Sequence, residues 1–217
     1  MVDAQAIMSL EILAVKEQAK VYGPVIPRLV GISASKFVAE KLGEATPAVN
    51  NLDQAVDYLT KSQSRYPKAF TALAYGVYKA GSTLEGNSGA STRIFKSIMR
   101  KIMESMGLGK MLGREQSTCA AITKNTKFNE DMNVVEKGIT KVTGDSNTAV
   151  NAITGCDYID VCNKLAQEGI FRAASCGLEC IYALSDAATA AMLTGSEHEY
   201  RVLRFDPPIC EYKVFKL

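Results

Sequence analysis

The residues best suited to chemistry gather in the last third of the chain. They are Cys176 and Cys180 in "SCGLEC", the single histidine His198, its neighbour Glu199, and Cys210 in "CEYKV". Cys176 and Cys180 are not the C-x-x-C of a dithiol oxidoreductase. On one helix, a C-x-x-x-C spacing puts two thiols a turn apart on the same face, about 5–6 Å between Cβ atoms. That suits a shared metal, and equally two small apolar residues filling a buried helix. Cys176, Glu199 and Cys210 form a wider pattern, C-x22-E-x10-C. Two thiolates and a carboxylate are competent zinc ligands, leaving the fourth position to water, His198 or Cys180. His198 adjoins Glu199, so on a strand it faces the other way. The rival chemistry makes Cys176 a thiolate nucleophile, for which His198 is the one imidazole available as base.

The elements that must position these residues divide the chain in two. Residues 1–109 read as mainly helical. Ile7, Leu10, Ile12, Leu13, Val15 and Ala19 mark a first helix ending at Gly23-Pro24, and "GPVIPRLVG" reads as a turn. A second helix spans roughly Ser33 to Lys41 and stops at Gly43. Asn51 and Gln54 form a capping box for a third. A fourth starts near Pro67, and a fifth, "ASTRIFKSIMRKIMESMG", ends at Gly107. Residues 110–217 carry the sheet. "TCAAITKN", "NVVEKGITKV" and "NTAVNAITG" are short and β-branched, with "TGDSN" as a hairpin loop. Helices return at "DYIDVCNKLAQEG" and over 173–194, and "EHEYRVLRF" and "ICEYKVFKL" flank Asp206-Pro207-Pro208 as a final hairpin. The expected fold is α+β: a helical N-terminal layer packed on an antiparallel sheet, with helices inserted before a C-terminal β-hairpin, in a single domain over 1–217.

Composition narrows the function classes. With 217 residues, 47% of them hydrophobic, the chain can bury a substantial core. A net charge of +2 argues against a dedicated nucleic-acid binder. One histidine rules out a His-rich metal cage. The N-terminal stretch carries Asp3 and Glu11 and lacks a basic n-region, so it reads as an amphipathic helix rather than a signal peptide. No run approaches the roughly 18 apolar residues of a membrane span. A cytoplasmic location follows, where cysteines are thiols or ligands more often than disulfides. "EGNSGASTR" lacks the P-loop signature and follows no strand, so it makes a turn and caps a helix.

Residues 132–217 resemble the 4-vinyl reductase type domain, a small-molecule (hydrocarbon) binding module. Its sensor members carry C-x22-E-x2-C-x7-C ending in "C-x-[FY]-x-V". Cys176, Glu199 and Cys210 stand at matching separations, and Val202 replaces the middle cysteine. The resemblance implies a structural zinc on Cys176, Glu199 and Cys210, a homodimer, and a cavity between helices and sheet for an apolar or aromatic ligand. Phe70, Tyr75 and Tyr78, crowded on one short helix, are then the lining to expect. "CDY", "SCG" and the last cysteine also resemble the aminothiazoline carboxylate hydrolase-like family, which implies thiol-dependent hydrolysis at Cys176 with His198. The same fold group includes Golgi transport-particle subunits, which implies a scaffold holding a lipid chain. The helix from Thr92 has basic residues Arg93, Lys96, Arg100 and Lys101 beside a methionine-rich apolar face. It reads as a core helix with a solvated basic face, and its methionines suit a dimer interface.

Overall fold

A computed structural model of the chain describes residues 2–85, 88–170, 180–206 and 208–217. Helix α1, Ala4–Tyr22, starts where the Asp3 carboxylate accepts from the amides of Gln5 and Ala6. Its buried residues are Ile7, Met8, Glu11, Val15 and Gln18, an inward stripe at helical spacing that includes a carboxyl. Helix α2, Ile26–Leu42, is longer than its sequence suggests. The stretch expected to be a turn is its first turn, because Pro27 sits where the backbone N–H has no partner inside the helix. Gly43 ends α2 in the left-handed conformation, with φ 68°. Helix α3, Leu52–Ser62, has its cap as expected: Asn51 accepts from the Gln54 amide at 2.9 Å, and the Gln54 side chain reaches back to the Asn50 amide at 2.8 Å.

A 3-10 turn over Pro67–Thr71 leads into α4, Ala72–Glu85. Helices α5, Ser88–Ser105, and α6, Leu108–Leu112, follow. Helix α7, Thr118–Asp131, replaces a predicted strand. The Ser117 hydroxyl accepts from the Ala120 amide, and Thr118, Ala121, Ile122 and Asn125 are buried at helical spacing. Packing of that face prevails over the β-branched composition.

Among the described residues the sheet has four strands, β1 Thr140–Gly144, β2 Thr148–Thr154, β3 His198–Asp206 and β4 Ile209–Lys216. Its order is β1-β2-β4-β3, and every pairing is antiparallel. The strand expected over 133–142 contributes only its end. The loop over 143–147 turns on Asp145, whose carboxylate accepts from the amides of Asn147 and Thr148. Helices α8, Ile159–Gln167, and α9, Ile181–Thr194, lie between β2 and β3 in the chain. The fold is therefore α+β, with helices inserted before a C-terminal hairpin.

One face of the sheet is internal. Ala149 pairs with Val214, Asn151 with Tyr212 and Ile153 with Cys210, and all six are buried. Helices α7 and α9 cover this face. A single buried carboxyl fastens the layers: Asp186 of α9 accepts from Asn125 of α7 at 2.9 Å, Asn151 of β2 at 2.9 Å and Tyr212 of β4 at 2.7 Å. Burial raises its pKa, while the three donors lower it and compensate the desolvated group. On the far side α2 is clasped closely: a Cβ on Gly76 of α4 would lie 2.5 Å from the Val30 carbonyl oxygen.

Candidate ligand-binding site

Helices α1, α4, α5, α6, α7 and α9 enclose a chamber of about 410 Å³. It falls within the usual range for small-molecule sites. Its wall is almost entirely apolar: Leu10 and Leu13 from α1, Val77 and Tyr78 from α4, Ile98 and Ile102 from α5 among others. Met106 and Met132, both exposed, mark the rim. None of the lining residues belongs to a strand. The expected chamber between helices and sheet is instead a chamber between helices.

Each wall follows from sequence. Two basic residues of α5 reach β3 and its approach: Lys96 binds Glu199 at 2.9 Å, and Arg100 approaches Glu197 at 3.7 Å. That leaves Met99, Met103 and Met106 turned to the chamber, so the methionine content has an internal explanation. Methionine suits such a wall because its unbranched thioether adapts to irregular contents. Of the three aromatic residues expected to line the site, Tyr78 does. Tyr75 instead stacks on Phe37 with ring centroids 5.0 Å apart and donates to Glu168. Phe70 is packed in the core below. Both lie away from the chamber because they fall on the α2-facing and 3-10 portions of the segment.

Among the described lining residues Glu11 is the one acid, beside the neutral Ser9, Asn125, Asn129 and Ser185. Glu11 lines the chamber yet is only 6% exposed, and neither carboxylate oxygen has a hydrogen bond of ordinary geometry. Burial pushes its pKa up to about 8, against smaller lowering effects of the nearby Tyr158 phenol and the backbone at Ala74 and Leu73. Tyr158 and Tyr182 meet edge to face at 5.6 Å beside it, and the buried Tyr182 hydroxyl also lacks a partner. The signal was present in the sequence. Glu11 stands four residues from Ile7 and four from Val15, in the middle of the apolar stripe.

The sulfur residues assemble differently from expectation. Cys180 is the N-cap of α9, and its Sγ lies 4.0 Å from that of Cys210. Contact with Cys210 and burial hold the Cys180 thiol well above its ordinary value. Burial likewise pushes Cys156 up to about 12 and raises Cys162. These are packed, protonated thiols. Cys176 lies outside the described residues.

Glu199 and Cys210, two of the three expected zinc ligands, lie apart on the hairpin. Glu199 pairs with Phe215 in the hairpin register, whereas Cys210 pairs with Phe205. Five strand positions separate them, roughly 17 Å, and an odd separation sets them on opposite faces of the sheet. Among the described residues no group of three or more His, Cys, Asp or Glu side chains is disposed to hold a metal ion. His198 is completely buried: Nε2 meets the Thr118 hydroxyl at 2.9 Å and Nδ1 the Ser196 carbonyl at 2.8 Å. The Ser196 carbonyl can only accept, so Nδ1 carries the proton and Nε2 accepts from Thr118. Both nitrogens are occupied, and desolvation lowers the pKa. A base for a thiol-dependent hydrolase would need one of them free.

Among the described residues no helix is long and apolar enough to cross a membrane. Compared with models of known protein families and with curated proteins, the chain gives no match.

Proposed function

We propose that the protein binds a small apolar molecule in the helical chamber, in the manner suggested by the resemblance to 4-vinyl reductase type domains. The observation that carries this reading is the chamber itself. An apolar cavity of about 410 Å³ forfeits the dispersion contacts that a filled core would make. Its lining is adaptable at the α5 wall, and its rim is formed by exposed methionines. A ligand burying its apolar surface there recovers that loss. Zinc plays no part in this reading, and neither does turnover at Cys176.

Nile red, a neutral polarity-sensitive dye, tests it. The native protein should bind one dye per chain with a blue-shifted emission. Ala14→Phe on α1 combined with Ser185→Phe on α9 fills the chamber from two walls, and should abolish binding while preserving the far-UV circular dichroism. Failure of the native protein to bind, or unchanged binding in the folded double variant, would overturn the reading.

A further inference from the structure

We propose that the ligand is a hydrophobic amine, an apolar body carrying one basic nitrogen, and that Glu11 is the residue that selects it by pairing with that nitrogen. This deepens the proposed chamber function and rests on it. Buried polar groups in folded proteins are almost always hydrogen-bonded, and orphans call for an unseen partner. Here both oxygens of a buried carboxyl lack one of ordinary geometry. The lone acid sits in a wall to which, among the described residues, no lysine, arginine or histidine contributes. A carboxylate or phosphate headgroup would meet only negative or neutral groups. A protonated amine meets a carboxylate in a medium of low dielectric, where the attraction is strong.

The groups facing Glu11 come from several elements. Tyr158 approaches it from the segment before α8, with Tyr182 of α9 and Cys156 close to that phenol. Helix α4 presents the backbone of Leu73 and Ala74, and Tyr78 lines the same chamber. Burial holds Tyr158, Tyr182 and Cys156 in their neutral forms, so the charge change falls on Glu11. Without ligand the carboxyl is protonated at neutral pH, since burial has raised its pKa to about 8. A free alkylamine is an ammonium ion at that pH. Its binding as an ammonium–carboxylate pair therefore expels the Glu11 proton to solvent, one proton for one amine bound.

Isothermal titration calorimetry of the full chain with decylamine, decanol and decanoic acid, in buffers of differing ionisation enthalpy, tests the assignment. Decylamine should bind at least tenfold more tightly than decanol, and decanoic acid least tightly. Decylamine should release about 0.9 proton at pH 7 and about 0.1 at pH 9, the fractions set by a group titrating near 8. Decanol should release none. Glu11→Gln should remove the proton release and the preference for decylamine over decanol. Equal binding of decylamine and decanol without proton release would overturn the amine assignment and leave the chamber standing. Tighter binding of decanoic acid would do the same. If none of the three probes binds, the chamber reading falls with it. The proton count in the native protein decides the matter even if the Gln variant does not fold.

Discussion

A buried carboxyl whose desolvation outweighs its compensating neighbours leaves a mark on stability, and Glu11 is such a group. Desolvation raises its folded-state pKa from 4.5 to about 8. Between those values the unfolded chain has lost the proton and the folded protein retains it. Stability therefore falls as pH rises through this window, at about 1.4 kcal/mol per pH unit, and levels off above the folded-state value. Across the window the loss amounts to about 5 kcal/mol. Urea unfolding of the ligand-free protein at a series of pH values should show that decline, and Glu11→Gln should flatten it. Asp186 shifts in the same direction, because burial outweighs the three hydrogen bonds its carboxyl accepts at 2.7–2.9 Å. A parallel decline in native protein and Glu11→Gln would mean that another buried acid is responsible. His198 acts at lower pH and in the opposite sense. Its depressed pKa contributes stability that is present above about 6.5 and lost as pH falls towards its folded value.

At the scale of elements, the close approach of α2 and α4 shows how the helical layer is held to tolerance. A methyl group on Gly76 would lie 2.5 Å from the Val30 carbonyl oxygen and 2.9 Å from Val30 Cγ1. On its other flank, α2 approaches α3 with Gly31, where a Cβ would lie 3.1 Å from Ala55 Cβ. Gly76→Ala gains up to about 1 kcal/mol of helix propensity, but it must force two buried helices apart. The net effect should be destabilisation by about 1–3 kcal/mol in urea unfolding. Because α4 also carries Val77 and Tyr78 to the chamber, Nile red affinity should fall with it. Gly109→Ala is the control. Its Cβ would meet Met192 Sδ at 3.5 Å and Cγ at 3.7 Å, both ordinary contacts, and stability should be unchanged or slightly higher.

The same elements show what the sequence made legible. The cap at Asn51, the stop at Gly43, strand β2 and the final hairpin are local signals, written in residues a few positions apart. Helix α7 was illegible locally because Thr118, Ile122, Thr123 and Thr126 look like a strand until α9 is there to bury one face. The start of α2 was hidden by Pro27, which breaks a helix interior but suits a first turn. For the site, spacing singled out Tyr78 and the cysteine-rich end of the chain, but it could not supply register. Glu199 and Cys210 match a linear pattern and lie on opposite faces of the hairpin. Glu11 was visible as an acid within the apolar stripe of the first helix, but its meaning depends on the other helices closing around it.

Over the whole molecule, the chamber is placed so that its contents bear on the helical layer far more than on the sheet. Residues 1–109 supply α1, α4 and α5 to its wall, while α7, Tyr158 and α9 come from the remainder of the chain. The two portions therefore share this interior even though they read so differently. The sheet is fastened separately through Asp186 and the inner faces of β2 and β4. Helix α3 contributes nothing to the lining. A ligand that binds only the folded state adds RT ln(1 + [L]/Kd), about 2.7 kcal/mol at a hundredfold excess over Kd. For a chain of this length that corresponds to an increase in Tm of about 5–11 °C. Decanol, which needs no partner for Glu11, should produce the shift in a thermal melt. Amide hydrogen exchange should then report where the added protection lies. Slowing is expected chiefly in the central turns of α1 and α5, which open locally when the chamber is empty, with little change in α3 or β1. Slowing confined to the strands, or a thermal shift that survives the Ala14→Phe and Ser185→Phe double variant, would place the ligand elsewhere.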